Sequence, residues 1–321
     1  MLDPRLIHDM TVSRIRQALA DTQRPSQGVI DALKNDRRTS VKAMGERIVE
    51  QLKQRRQRLE TLWRYETEVG GGVIAGVDEA GRGPLAGPVC AAAVILPHGL
   101  DIPGLANSKV MKPENRETVF DVIFEQSIAV GLAFVDVETI DRLNILRASM
   151  KAMRSAIEDL GTDPEMVLID GDKTPGSQFA ERAIVKGDSK SMSIAAASVI
   201  AKVSRDRHMA LLDEKYSGYG FVKHKGYGTP EHLEALRKLG ACPEHRRSFG
   251  YVADVEAGRS DDFFDFNRGI SAAQSQTDLE VVGEAVALVS ANLGEDELVE
   301  LRRRYAQKQA RLKQYRDDAR K

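Results

Sequence analysis

The sequence predicts an α/β domain built on a mixed sheet, with helical extensions on either side of it. Three observations predict this. Apolar runs of strand length (VIAGVD, VCAAAVILP, IAVGLAFVD and VLID) fall between residues 73 and 170. The first runs follow one another directly and the later ones alternate with helical patterns, an order that suits a mixed sheet covered on both faces. Residues 1–70, by contrast, hold helical patterns alone. The expected organisation is an N-terminal extension (1–70), a catalytic domain (71–250) and a C-terminal extension, partly helical or disordered (251–321).

Each element has a local cause. Thr11 is placed to cap a helix with Val12, Ile15 and Leu19 on one face. Ser40 is placed to start a second helix, along which Val41, Met44, Ile48, Leu52, Leu59 and Trp63 recur at helical spacing. That helix carries a basic run, Lys53, Arg55, Arg56 and Arg58, which reads as a solvated face or as a phosphate contact. Glycines 70, 71 and 72 read as a hinge before the first strand. Strands are expected at 73–78, 89–97, 128–136, 167–170 and 183–185. A helix opened by Asn144 aligns Leu146, Met150, Met153, Ile157 and Leu160 and stops at Gly161. Residues 193–212 read as a helix whose first half, SIAAASVIA, is small and apolar on nearly every side, so it should be buried at close backbone approach. Beyond residue 250, DDFFDF and a Ser/Gln-rich stretch read as loop, and the mixed-charge tail as a solvated helix.

Composition narrows the function. An apolar content of 42% supports a sizeable core, and a formal net charge of −1 leaves no overall basic footprint. A nucleic-acid partner would have to be held by local patches. Cys90 and Cys242 show no paired spacing, which fits a reducing cytosol and argues against a structural zinc site. No apolar run reaches membrane-span length, and the first residues lack a signal-peptide pattern, so a soluble cytoplasmic protein is expected.

The stretch GVIAGVDEAGRGPLAGPV, residues 72–89, sets the chemical question. It lacks the Gly-Lys-Ser/Thr of a phosphate-binding loop. Gly81, Gly83 and Gly87 are spaced wrongly for a dinucleotide fingerprint, and Pro84 and Pro88 oppose the helix that should follow. Metal remains. Mg²⁺ and similar hard cations take carboxylate oxygens, with water and substrate phosphate completing the shell. Adjacent strand residues point to opposite faces, so Asp78 and Glu79 share a site only if the strand ends there and the chain bends. The glycines supply the bend and leave backbone bare for a polymer to approach. Asp170 closes a buried strand at its carboxyl end, where α/β sites gather. Asp188, between Lys186 and Lys190, is either a fourth acid or a helix cap. Four acids with lysines nearby fit a two-metal phosphodiester site.

These motifs, with VKGDSKSMSIAAASVIAKVSRDR, GYGFVKHKGYGTPEH and HRRSF, resemble bacterial ribonuclease HII over about residues 72–250. The resemblance implies a ribonuclease H-like fold and an Mg²⁺- or Mn²⁺-dependent endoribonuclease. Its substrates would be the RNA strand of RNA–DNA hybrids and single ribonucleotides embedded in duplex DNA, cut to leave 5′-phosphate and 3′-hydroxyl ends. The sister family, ribonuclease HIII, would show Lys where this chain has Arg82. Carried over by motif, Asp78, Glu79, Asp170 and Asp188 match the four acids, the first three as metal ligands. Gly81, Arg82 and Gly83 match the segment whose backbone reads the ribose 2′-OH, and Tyr227 matches the tyrosine that stacks on the sugar. Lys109 is a candidate phosphate contact, and Asn107 stands where the family commonly has Asp.

A monomer is expected. Two rival readings are a non-catalytic hybrid-binding protein, opposed by the complete acidic set, and a DNA-directed nuclease, opposed by the Gly-Arg-Gly and Tyr227 motifs. His224 and His232 read as hydrogen-bonded structural residues, with phosphate contact or proton donation as the lesser reading, and Cys90 reads as core.

Overall fold

The computed structural model describes residues 2–22, 25–70, 72–105 and 111–318. Lys109 and Asn107, and the middle residue of the glycine triplet, lie outside them. Five strands form one mixed sheet: β1 (Ile74–Ala80), β2 (Val89–Ile95), β3 (Ala129–Val135), β4 (Met166–Asp170) and β5 (Glu181–Ile184). Their order is β3-β2-β1-β4-β5. The β1–β2 and β2–β3 pairs are antiparallel, whereas β1–β4 and β4–β5 are parallel. β1 and β2 follow one another directly, the helix Pro113–Gln126 stands between β2 and β3, and the parallel β1–β4 pair is joined by a crossover that includes β2 and β3.

Chain contacts gather into two units. The first comprises Met1–Ala80, Val89–Val135 and Leu146–Arg205, and the second comprises Gly81–Pro88, Asp136–Ile145 and Asp206–Lys321. These units cut across the three-part organisation expected from the sequence.

In the first unit the helix Met192–Lys215 lays its alanine-rich start on the sheet. A Cβ placed on Gly76 of β1 would stand 2.1 Å from the carbonyl carbon of Ser193, so only glycine admits this approach. Ala195, Ala196, Val199, Ile200 and Val203 pack with Cys90, Ala92 and Val94 of β2, and with Val119 and Ile123 of the helix Pro113–Gln126. The helix Ile145–Glu158 reaches β3, where a Cβ on Gly131 would meet the Ala156 carbonyl oxygen at 2.0 Å.

The N-terminal segment divides its apolar residues. Val41, Met44 and Ile48 join Ile7, Ile15, Val29 and Leu33 in a core of their own. Leu59, Leu62 and Trp63 join the sheet's core, and Leu52 is left exposed. Thr11 caps its helix as expected, its Oγ1 accepting from Arg14 N at 3.3 Å. The next long helix, Thr39–Leu62, begins after Arg38 and has no side-chain cap, so Ser40 does not start it. Of its basic run, Arg55 pairs with Asp101 at 2.6 Å and Arg56 with Glu60 at 3.0 Å.

The second unit corrects the loop expected at DDFFDF. Ser260 Oγ accepts from Phe263 N at 3.2 Å and caps the helix Asp261–Ala272, whose first turn holds Asp261 and Asp262. That start sends Phe263 and Phe264 into a core with Ile270, Leu279, Leu293 and Leu301. The Ser/Gln stretch holds a capping box, Ser275 with Asp278, that opens the helix Gln276–Leu288. The tail helix Glu295–Asp318 is anchored by buried Leu301 and by a two-pronged pair from Arg304 to Asp254, each contact 2.7 Å.

Gly76→Ala tests the closest approach in the sheet. Overpacking against backbone has no side chain to yield, so the variant should lose about 3 kcal/mol or more in denaturant unfolding. An unchanged midpoint would mean the helix is not seated on β1.

Candidate active site

The acids are held by β1, β4 and the turn before the long helix. Asp78 and Asp170 each lie one residue past the last paired positions of the two parallel strands, Val77 and Ile169. Alternation places Asp78 on the same face as Gly76, beneath the long helix. Asp78 is 6% exposed. Its Oδ1 accepts from Glu79 N at 2.7 Å, and its side chain also bonds Ser198 of that helix.

β1 does not end at the acids. Glu79 pairs with Ala91 and Ala80 with Cys90, so Glu79 stays in the strand, on the face opposite Asp78. The bend comes at Gly81, whose φ of 96° lies in the left-handed region. The expectation that the strand stops at the acid pair is corrected accordingly, and any site shared by both acids lies around the strand's carboxyl edge.

Asp188 is in the tight turn Gly187–Ser189 and is 5% exposed. Asp170 Oδ1 accepts from Gly187 N at 2.5 Å, which ties this turn to the end of β4. Asp188 is not the helix cap. Ser191 takes that place, its Oγ accepting from Ile194 N at 3.2 Å. Glu66, 1% exposed, accepts from Ser191 Oγ at 2.6 Å and from Ser193 N at 3.0 Å, completing the cap from the N-terminal segment.

Electrostatics single out Asp78. Burial pushes its carboxyl well above the usual carboxylate range, and the nearby charges of Glu79 and Asp170 push it further. The bonds from Ser198 and Glu79 N oppose this without cancelling it. A buried carboxyl that two neighbouring carboxylates make costlier to ionise, with only oxygen donors among the three, suits a hard divalent cation. Among the described residues, no three His, Cys, Asp or Glu side chains stand already gathered in ligating geometry. The fit therefore rests on the donor chemistry and on the repulsion that a cation would relieve.

The second unit holds Gly81, Arg82, Gly83 and Tyr227, and the three histidines near them in sequence. Arg82 and Gly83 are exposed, and a Cβ on Gly83 would stand 3.4 Å from Tyr227 Cε1. Tyr227 itself is 47% exposed, which leaves its ring face available and sets aside a buried, satisfied ring. His224, His232 and His245 are buried. His224 Nε2 bonds the Tyr219 carbonyl at 2.8 Å, and His232 Nδ1 bonds the Tyr227 carbonyl at 2.9 Å. They are thus hydrogen-bonded structural residues. Cys90 is core, its thiol pushed up to about 12, chiefly by burial. Sequence reasoning missed Ser198, Glu66 and the buried Arg246. Ser198 carried one signal, as a hydroxyl within a run of buried alanines.

A mixed sheet with acids at the carboxyl ends of adjacent parallel strands places the protein among the ribonuclease H-like nucleases. A family model described as Ribonuclease HII matches residues 75–252, and one described as Ribonuclease HII N-terminal domain matches residues 11–70. Ribonuclease HII of Geobacillus thermodenitrificans is 47% identical over 251 residues, covering 76% of this chain and 96% of that protein. That of Geobacillus kaustophilus is 50% identical over 231 residues, 70% and 88% of the two chains. The crystal structure of ribonuclease H2 from Pyrococcus horikoshii OT3 aligns with a TM-score of 0.51 at 28% identity, over 58% of this chain and 97% of that one. Bst-RNase HIII in complex with Mn²⁺ shares the fold at 19% identity and a TM-score of 0.50, over 60% and 71% of the chains. The chain belongs to the ribonuclease HII family, and it is an endoribonuclease of the ribonuclease H type acting on RNA–DNA hybrids.

Two outcomes test the site's electrostatics. Asp78→Asn removes a costly buried charge, so in chelator at neutral pH its melting temperature should equal or exceed the parent's, while cleavage with metal is lost. A lower melting temperature, or retained metal-dependent turnover, would contradict the arrangement. Burial also pushes His232 and His245 down to about 4, with His224 lowering His232 further and His232 lowering His245 further. Between about pH 6.5 and 4 the unfolded chain binds protons there that the folded chain does not. Stability should therefore be full above about pH 6.5 and fall as pH drops toward 4, read as a declining thermal midpoint.

Proposed function

We propose that the protein incises duplex DNA at single embedded ribonucleotides, as well as cutting the RNA strand of hybrids, by metal-dependent hydrolysis at Asp78, Glu79, Asp170 and Asp188. The observation that carries this reading is the Asp78 carboxyl, raised first by burial and then by the charges of Glu79 and Asp170, with Asp78 and Asp170 at the carboxyl ends of two parallel strands. Asp78, Glu79 and Asp170 would hold Mg²⁺ or Mn²⁺, and Asp188 would support them from its turn beside Asp170. When bound, the ions supply an activated water and neutralise charge developing on the phosphate. The protein's own part is to fix the carboxylates on rigid strands and to keep the Asp78 side nearly free of solvent.

Sugar recognition falls to the second unit. The backbone of Gly81, Arg82 and Gly83 would meet the 2′-OH, the group that separates RNA from DNA, while the Tyr227 ring stacks on the sugar. Lys109 is proposed as a phosphate contact on the strength of its motif. No helix among the described residues is long and apolar enough to cross a membrane. A monomeric cytoplasmic enzyme is the proposed setting.

Incubation with a duplex carrying one ribonucleotide, beside an all-DNA duplex, tests the reading. Only the first should be cut, at the ribonucleotide, and chelator should abolish the cut. Tyr227→Ala should lower kcat/KM for the single-ribonucleotide duplex by about tenfold or more, since a stacked ring contributes about 1–3 kcal/mol. Cleavage of the all-DNA duplex would overturn the reading, and parental activity in Tyr227→Ala would make the ring structural only.

A further inference from the structure

Arg246 is 0% exposed. A protein interior accepts such a charge only when its donors are taken up. Four of its hydrogen bonds go to main-chain carbonyls of the glycine-rich loop. Nη2 donates to Gly81 at 2.6 Å and to Gly87 at 2.8 Å, Nη1 to Arg82 at 3.0 Å, and Nε to Gly87 at 3.0 Å. The guanidinium carbon also lies 5.1 Å from the centre of the Phe249 ring.

Peptide planarity turns these contacts into a statement about the other side of the loop. In a trans peptide the C=O of one residue and the N–H of the next point in opposite directions. Carbonyls 81 and 82 face the guanidinium, so the N–H groups of Arg82 and Gly83 face away from it. Two neighbouring donors are thereby aimed the same way, beside the exposed Tyr227 ring.

The turn that carries Arg246 also holds Tyr227. Cys242 N donates to His245 Nδ1 at 3.0 Å, which leaves the His245 proton on Nε2. That proton goes to His232 Nε2 at 3.1 Å, and His232 Nδ1–H then donates to the Tyr227 carbonyl at 2.9 Å. The tautomers follow from the network, since each ring accepts at one nitrogen and donates from the other. The same turn is fastened to the loop by Arg246 N on Leu85 O and by Gly87 N on Glu244 O, both 2.8 Å.

We propose that Arg246, with His245, is a positioning residue for ribose recognition: it sets the Arg82 and Gly83 N–H groups toward the sugar while the histidine pair holds the backbone of Tyr227. This rests on the reading that residues 81–83 and Tyr227 meet the ribonucleotide. A lysine cannot reproduce the guanidinium fork, so Arg246→Lys should release the loop's peptide planes while keeping the charge.

The test measures binding in chelator, as the ratio of the dissociation constants for an all-DNA duplex and for the same duplex with one ribonucleotide. The parent should prefer the ribonucleotide. Loss of two aimed hydrogen bonds should lower that ratio about tenfold in Arg246→Lys, with affinity for the all-DNA duplex unchanged. His245→Asn breaks only the Tyr227 arm and should lower the ratio less, and it carries the test if Arg246→Lys does not fold. A folded Arg246→Lys, or His245→Asn in its place, that keeps the parental ratio while Tyr227→Ala loses it would overturn the proposal and leave the recognition reading intact. If Tyr227→Ala also keeps the ratio, or the parent has no preference, the recognition reading falls and the proposal with it.

Discussion

The first unit depends on one close contact, the seating of the long helix on β1 at Gly76. A helix start buried against a sheet leaves N–H groups that water cannot reach. Ser191 and Glu66 satisfy those of Ile194 and Ser193, and Glu66 is delivered by the N-terminal segment. From Ser193 to Ser198 the helix advances about 7.5 Å. From Gly76 to Asp78 the strand advances about 6.6 Å. The near match carries Ser198 along with the strand, to where it bonds the Asp78 carboxylate. The contact that requires glycine therefore also fixes the partner of the most perturbed acid.

The carboxylates oppose that order. Asp78 is buried beside two like charges, a placement that lowers stability and that packing alone would not select. The fold carries it on its most rigid elements, two central strands paired through Val77 and Ile169. The turn bearing Asp188 is fastened to Asp170 by a short bond from Gly187, with Lys186 in the left-handed region to make the reversal. Rigidity here serves to hold together groups that would otherwise relax away from one another.

Much of this was legible in the sequence. Apolar runs of strand length gave all five strands to within two or three residues, most securely β1, β2 and β4, whose burial demands continuous apolar character whatever their neighbours. Asp78, Glu79 and Asp170 stood out as charges placed at the ends of such runs. What was not legible depended on partners far along the chain. Nothing local separates Arg246 from Arg247, yet the first is buried and the second exposed. Nothing in the sequence around Glu66 marks it out, and its role comes from its bonds to Ser191 and Ser193. Asp188 was a plausible cap by type, but it falls in a three-residue turn ahead of the helix, and Ser191 takes the cap. At DDFFDF, read as loop, the local cause of the helix is the Ser260 cap and the acids of the first turn.

The hold of Arg246 on the glycine-rich loop spans 159 residues of chain at Gly87 and 165 at Gly81. A ribosome adding about 5–20 residues each second needs roughly 8–30 s to cover that span. During this interval β1, β4 and the turn of Asp188 have all been made, whereas carbonyls 81, 82 and 87 still lack their guanidinium. Order of synthesis therefore separates the two parts of the enzyme in time. The residues that carry the acids are synthesised first, and the glycine-rich loop lacks its guanidinium until residue 246 has been added.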